Sequence, residues 1–213
     1  VVFCVDRAGI VGADGATHNG VLDVAFLRSI PGMKILCPSN FAELRSMMSR
    51  ALYHENGPVA IRYPRGGEGA FRKDESREPL VRVREAADHE VTLLTHGVMV
   101  NEVLAAAELL AKKGVRAQVY KVNEISPALA DAFDAQTVAL SGRLVVVEDV
   151  VDSGGLGEWV ASHRDGVCER RNTGDRFLPH GSVSEIYHHC GLDAAGIAAF
   201  VMDNRKGKED GLG

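Results

Sequence analysis

Val1-Val2-Phe3-Cys4-Val5-Asp6-Arg7-Ala8-Gly9-Ile10-Val11-Gly12-Ala13-Asp14-Gly15-Ala16-Thr17-His18-Asn19-Gly20 is the stretch that decides the fold. Its first five residues are apolar and mostly β-prone, which predicts a buried strand. Residues 6–20 then gather four glycines, two carboxylates, an arginine and a histidine. That glycine density predicts unusual backbone conformations or close approach to a neighbour. A cation, an acid and an imidazole on such a loop are the parts of a site for an anionic substrate. The spacing Gly9, Gly12, Gly15 is G-x-x-G-x-x-G, with no clean helix after it, so it is not a dinucleotide fingerprint.

Outward from this loop the pattern is strand–helix–strand. Residues 21–30 are weakly helical and residues 33–37 read as a second short strand. Asn40 opens a helix with Glu43 three residues on, in the manner of a capping box, and Phe41, Leu44, Met47, Met48, Ala51 and Leu52 repeat at helical spacing. Asn56-Gly57-Pro58 stops that helix, and residues 59–63 form a third strand. Such alternation predicts a parallel sheet. Residues 66–85 lack apolar periodicity and read as a linker. A second α/β unit follows: a strand at 91–95, a helix from Val100 to Ala111 ended by Gly114, a strand at 115–122, a short helix at 128–133 and a buried strand at 144–147. Gly154-Gly155-Leu156-Gly157 reads as a tight turn into a helix around Trp159. Ser182 is placed to cap a helix with Glu185. Residues 205–213 read as a flexible tail.

Composition narrows the function. A net charge of −5 over 213 residues argues against nucleic acid as the partner. No apolar run reaches the length of a membrane span. Cys4, Cys37, Cys168 and Cys190 are scattered, the pattern of reduced cytoplasmic thiols rather than a disulfide or zinc framework. The chain begins with Val inside a strand pattern, so a preceding portion is expected.

Two constellations carry chemistry. Asp14 and His18 are four apart, and a helical turn there would aim both at one cleft as an acid–base pair. Arg62-Tyr63-Pro64-Arg65-Gly66 ends the third strand, where ligands of open α/β sheets bind. Two arginines there suit a phosphate, and Arg7 adds a cation at another strand end. His188-His189-Cys190 has no second ligand pair and is not read as a metal site.

The loop 6–20, together with Leu27-Arg28-Ser29-Ile30-Pro31, Pro38-Ser39, Glu43-Leu44 and Arg62-Tyr63-Pro64-Arg65-Gly66, closely resembles the 1-deoxy-D-xylulose-5-phosphate synthases, a branch of the transketolase-like thiamine diphosphate enzymes. Thr95-His96-Gly97, Val147-Glu148-Asp149, Pro179-His180-Gly181 and Gly191-Leu192-Asp193-Ala194-Ala195-Gly196-Ile197 extend the likeness through the second half. The resemblance implies an α/β fold: the remnant of a parallel-sheet pyrimidine-binding domain (1–70), a linker (71–90), and a transketolase C-terminal-like domain (91–204). It implies a transferase that condenses pyruvate with glyceraldehyde 3-phosphate, releases carbon dioxide, and acts as a cytoplasmic homodimer with thiamine diphosphate and Mg2+. By the same resemblance Arg7 and Arg65 hold the substrate phosphate, and Asp14 and His18 are the catalytic acid and histidine. The family's catalytic glutamate, its metal-binding signature and the aromatic that stacks on the cofactor find no match in this chain. It is therefore expected to be inactive alone, with the cofactor bound mainly by other residues. Glu148-Asp149 replaces two glutamates common in relatives. The alternatives are another transketolase-like enzyme, such as a pyruvate dehydrogenase beta subunit, and a non-catalytic assembly module.

Overall fold

The apolar opening becomes β1 (Val2–Val5), the first strand of the computed structural model, which describes residues 1–136, 139–140 and 142–209, the last six as backbone only. A short helix, α1 (Asp23–Arg28), leads to β2 (Lys34–Leu36), α2 (Phe41–Tyr53) and β3 (Val59–Arg62). β3 pairs in parallel with β1 on one side and β2 on the other. All four residues of β3 are buried, as expected of a parallel strand covered on both faces.

The second sheet begins inside the stretch expected as a linker. β4 (Leu80–Arg84) pairs antiparallel with β6, so residues 71–90 are not a plain connector. Leu80 is buried in one core and Val83 packs against the other, but Arg82 and Arg84 interrupt the apolar pattern, which hides the strand in a charged neighbourhood. The residues before it are tied down as well. Asn123, buried, donates from its side chain to Glu78 O at 2.8 Å and from its backbone to Pro79 O at 2.8 Å.

Next come β5 (Val91–His96), α3 (Val100–Lys112), β6 (Ala117–Val122), β7 (Glu124–Ile125), α4 (Pro127–Ala135), β8 (Leu144–Val147), α5 (Leu156–Ser162), β9 (Cys168–Arg171), α6 (Val183–Cys190) and α7 (Ala194–Glu209). The sheet order is β4-β6-β5-β8-β9, parallel throughout except for β4. The Ser182–Glu185 capping box forms in full, and Gly191 ends α6 in the left-handed conformation. β9 is a Cys-Glu-Arg-Arg edge strand without an apolar pattern; Arg143 grips its Glu169 with two hydrogen bonds of 2.7 and 2.9 Å. α7 runs on through residues 205–209, which were expected as tail; residues 210–213 lie outside the described part. No helix among the described residues is long and apolar enough to cross a membrane.

The two halves are not separate bodies. β7, from the second half, pairs with β2 and completes the order β1-β3-β2-β7 in the first sheet. One apolar core joins Val24, Leu27 and Ile35 to Leu94, Tyr120 and Val146 across the seam. α3, α6 and α7 cover the other face of the second sheet.

A buried ion pair also crosses the seam. Asn40 caps α2, accepting from Glu43 N at 2.9 Å, but the reciprocal half of the expected box is redirected. The Glu43 carboxylate accepts instead from Ser39 N at 2.7 Å and from Lys121 Nζ on β6 at 2.9 Å, with both charged side chains fully buried. Burial pulls the Lys121 ammonium pKa down, and Glu43 opposes it. Lys121→Met strands the Glu43 charge and should cost about 3 kcal/mol in urea unfolding. Adding Glu43→Gln, which still accepts from Ser39 N, should recover part of that loss. Strictly additive losses would refute the coupling.

Candidate active site at the seam of the two sheets

β1 delivers Arg7 into the loop with φ of 58°, a left-handed conformation uncommon outside glycine. Backbone hydrogen bonds hold it there: Gly20 N donates to Arg7 O and Ala8 N to Tyr63 O, both at 3.0 Å. Two glycines are required by contact. A Cβ on Gly20 would stand 2.3 Å from Arg7 O, and one on Gly9 would stand 1.9 Å from Asp149 Oδ2. The loop is thus closed at its neck and pressed against the second half of the chain.

Within the loop a single 3-10 turn, Gly12–Asp14, presents Asp14. Arg7 Nε donates to Asp14 Oδ2 at 2.9 Å, and Arg65 Nη1 pairs with Asp14 Oδ1. Asp6 holds the other end of the Arg7 guanidinium. The structure therefore brings Arg7, Asp14 and Arg65 together from two strand ends. It does not pair Asp14 with His18. The helical turn that their spacing required is absent, because Gly15 at φ of 94° reverses the chain after Asp14. Asp14 is occupied by two cations, while His18 is exposed with Nδ1 3.2 Å from Thr17 Oγ1.

Arg62 departs from its expected role. It is buried at 3% exposure and does not reach outward with Arg65. Its Nε donates to Asp23 Oδ2 at 3.0 Å and its Nη2 to Gly20 O at 3.4 Å; Nη1 lies 3.1 Å from His96 Nδ1 and 3.9 Å from Asp149 Oδ1. Burial works against the guanidinium charge, but Asp23 and Asp149 more than compensate and raise its pKa. Beyond it, His96 Nε2 stands 3.3 Å from Glu148 Oε2. Glu148 in turn accepts from Leu156 N and Gly157 N at 2.8 Å each. The glycine-rich turn before α5 thus spends its helix N-terminus on an internal carboxylate. Spacing in the sequence did not expose Asp23 or the His96–Arg62 contact; His96 entered only through the Thr95-His96-Gly97 likeness.

Beside Arg65 opens a cleft of about 210 Å3, lined by Arg65, Asn101, Glu102, Asp149, Val183 and Tyr187 among others. Tyr187 donates to Asp149 Oδ2 at 3.4 Å; burial, then the Asp149 charge, raise its pKa well above the ordinary tyrosine value. A larger cavity of about 430 Å3, walled mainly by Val21, Leu22, Val151 and Phe177, lies apart from Arg7, Asp14, His18 and Arg65. Its size does not make it the site, since Arg65, which pairs with Asp14 beside Arg7, lines the smaller cleft.

His96 gives the seam a pH dependence. Burial depresses its pKa, as does Arg62, but hydrogen bonding with Cys37 and Glu148 prevails and lifts it to about 9. A raised folded-state value means the stabilisation is complete below the unfolded pKa near 6.5 and is lost as pH rises through about 9. Stability of the chain should fall by about 3 kcal/mol between those limits. His96→Gln should flatten that slope in denaturant titrations across pH, and an unchanged slope would refute the assignment.

The chain is similar to known proteins along most of its length. Residues 1–67 match the family described as "Transketolase, pyrimidine binding domain", and residues 81–197 match "Transketolase, C-terminal domain". A 1-deoxy-D-xylulose-5-phosphate synthase of Chlorobium luteolum is 40% identical over 95% of this chain. One of Geobacillus thermodenitrificans is 36% identical over 93%. The chain spans about a third of the length of these curated relatives, 33% in both cases. Among solved structures, a split-gene transketolase described as an inactive beta4 tetramer superposes with a TM-score of 0.78 at 25% identity, over 95% of this chain and 66% of that one. The transketolase of Campylobacter jejuni shares the fold, with a TM-score of 0.77 at 20% identity, over 95% of this chain and 31% of that one. With its C-terminal-domain match covering more than half of the residues, and the two sheets meeting as described, this chain belongs to the transketolase family.

Proposed function

We propose that the chain forms the acceptor-binding side of a thiamine diphosphate-dependent transferase. The reaction joins pyruvate to glyceraldehyde 3-phosphate, giving 1-deoxy-D-xylulose 5-phosphate and carbon dioxide. One observation carries this reading: Arg7 and Arg65, from beyond the ends of β1 and β3, converge on the single carboxylate of Asp14, and Arg65 also lines the cleft. Two guanidinium groups so placed are a grip for a phosphate monoester. The names of the 36–40% identical relatives support the particular reaction.

In this reading the cofactor, when bound, supplies the nucleophilic carbon that attacks the aldehyde. The residues of this chain act on the acceptor. Arg7 and Arg65 bind its phosphate, far from the reacting carbon, so that binding energy is spent on position. His18, with Nδ1 facing Thr17, offers Nε2 to the oxygen that develops negative charge and supplies its proton. Asp14 orients His18 or the acceptor hydroxyls. Among the described residues no three His, Cys, Asp or Glu side chains gather to hold a metal ion, and the Mg2+ that accompanies the cofactor is assigned no ligand in this chain.

The working protein in this proposal is a homodimer, and this chain by itself is inactive. Exposed Phe26, Tyr53 and Phe177 are apolar surface suited to an interface. The split-gene relative, inactive as a tetramer of one chain type, favours the same division of labour.

In the enzyme that contains the cofactor-binding portion, Arg65→Ala should raise KM for glyceraldehyde 3-phosphate by at least about tenfold and leave KM for pyruvate within about twofold. Equal effects on both substrates would refute the phosphate grip. His18→Asn should lower kcat by about a hundredfold with little change in either KM.

A further inference from the structure

The charge arithmetic of the loop holds a second message. Arg7 and Arg65 share one carboxylate, Asp14, which occupies the position a ligand oxyanion would take, while Asp6 pairs with the far end of Arg7. We propose that Asp14 is a displaceable stand-in for the phosphate: it keeps the two arginines aligned until the ligand arrives, and then gives up its place. The inference rests on the phosphate-grip reading above and deepens it.

The three partners differ in freedom. Arg7 is fixed from its backbone outward, since its φ of 58° is enforced by hydrogen bonds at the loop neck and by the contact with Gly20. Arg65 has a side chain 61% exposed and is open to an incoming ligand. Asp14 rides on one 3-10 turn, held by Asp14 N donating to Val11 O at 2.8 Å, and followed by Gly15. An ideal Cβ on Gly15 would meet nothing within 4 Å, so space for movement adjoins the turn. The cations are thus anchored or accessible, and the anion between them is the part able to move.

The direction of exchange follows from charge. A carboxylate brings one negative charge and two oxygens; a phosphate monoester brings nearly two charges and three oxygens, and satisfies both guanidinium forks at once.

The test is inorganic phosphate binding to this 213-residue chain. Calorimetry should show Asp14→Asn and Asp14→Ser binding phosphate about fivefold more tightly than the unaltered chain, the effect of removing a part-exposed ionic competitor. Arg65→Ala should lose binding. In the unaltered chain, NMR should show the Asp14 carboxyl carbon and the Arg7 Nε–H shifting together as phosphate is added. If phosphate binds, Arg65→Ala abolishes it, and neither Asp14 variant binds more tightly, the stand-in is overturned and the phosphate grip stands. Tighter binding by the variants with an unmoved Asp14 carboxyl signal also overturns it, leaving only the loss of a negative charge. If no form binds phosphate, both readings fall. Should one Asp14 variant not fold, the other variant and the carboxyl signal of the unaltered chain decide the matter.

Discussion

A guanidinium buried between two sheets constrains everything around it. Arg62 leaves water at the end of β3 and must find negative charge from both sides of the seam. Asp23, from α1 in the first half, takes its Nε at 3.0 Å; Asp149, just beyond β8 in the second half, approaches within 3.9 Å. Pulling the halves apart would leave the cation with a partial shell in a dry setting. The same group fixes the loop, since Arg62 Nη2 reaches Gly20 O and Gly9 abuts Asp149. The position of Arg7 follows from that anchoring, because Gly20 also ties down the Arg7 carbonyl.

The interlocking goes beyond one ion cluster. Lys121 and Glu43 form a second buried pair across the seam, and β7 closes the edge of a sheet built by the other half. A buried ion pair adds little net stability over an apolar one, but it tolerates no slippage, because a displaced partner leaves a bare charge. Apolar packing supplies the adhesion, and the two pairs supply the register. The cleft beside Arg65, lined by residues of both halves, needs that register to keep its shape.

Much of this was legible in the sequence, for definite physical reasons. β3, β5 and β8 are short apolar runs because parallel strands are covered on both faces, and their reading needs no partner; β1, at the sheet's edge with Phe3 and Cys4 exposed, is not the buried strand its composition predicts. Arg7, Asp14, His18 and Arg65 stood out because they gather at strand ends and on a glycine-rich loop, and their roles came from the family resemblance rather than from spacing. The missed elements share the opposite property. β9 is Cys-Glu-Arg-Arg at a sheet edge, β4 alternates arginine with valine, and β7 has two residues; each is a strand only because a neighbour pairs with it. Arg62 misled for a related reason. Strand-end position makes an arginine available, but whether it turns outward to ligand or inward to Asp23 depends on a contact 39 residues away in sequence. Asp14 was placed correctly on the loop and paired with the wrong neighbour, since local spacing favoured His18 while the tertiary fold brought two arginines.

The direction of the strands explains why the charge collects where it does. In parallel sheets ligands sit beyond the carboxyl ends, where successive loops open a crevice. Here two such sheets meet with those ends together. β1 ends before Arg7, β3 at Arg62 and shortly before Arg65, β5 at His96, and β8 before Glu148 and Asp149. The contacts among Arg62, His96 and Asp149 show that the ends of β3, β5 and β8 converge on one region. The innermost charges there neutralise one another and lock the seam. The outermost, Arg7 and Arg65, stand at the rim, where they share Asp14 and a ligand can reach. One topological fact thus sorts similar side chains into two kinds: those that hold the halves together, and those left over for chemistry.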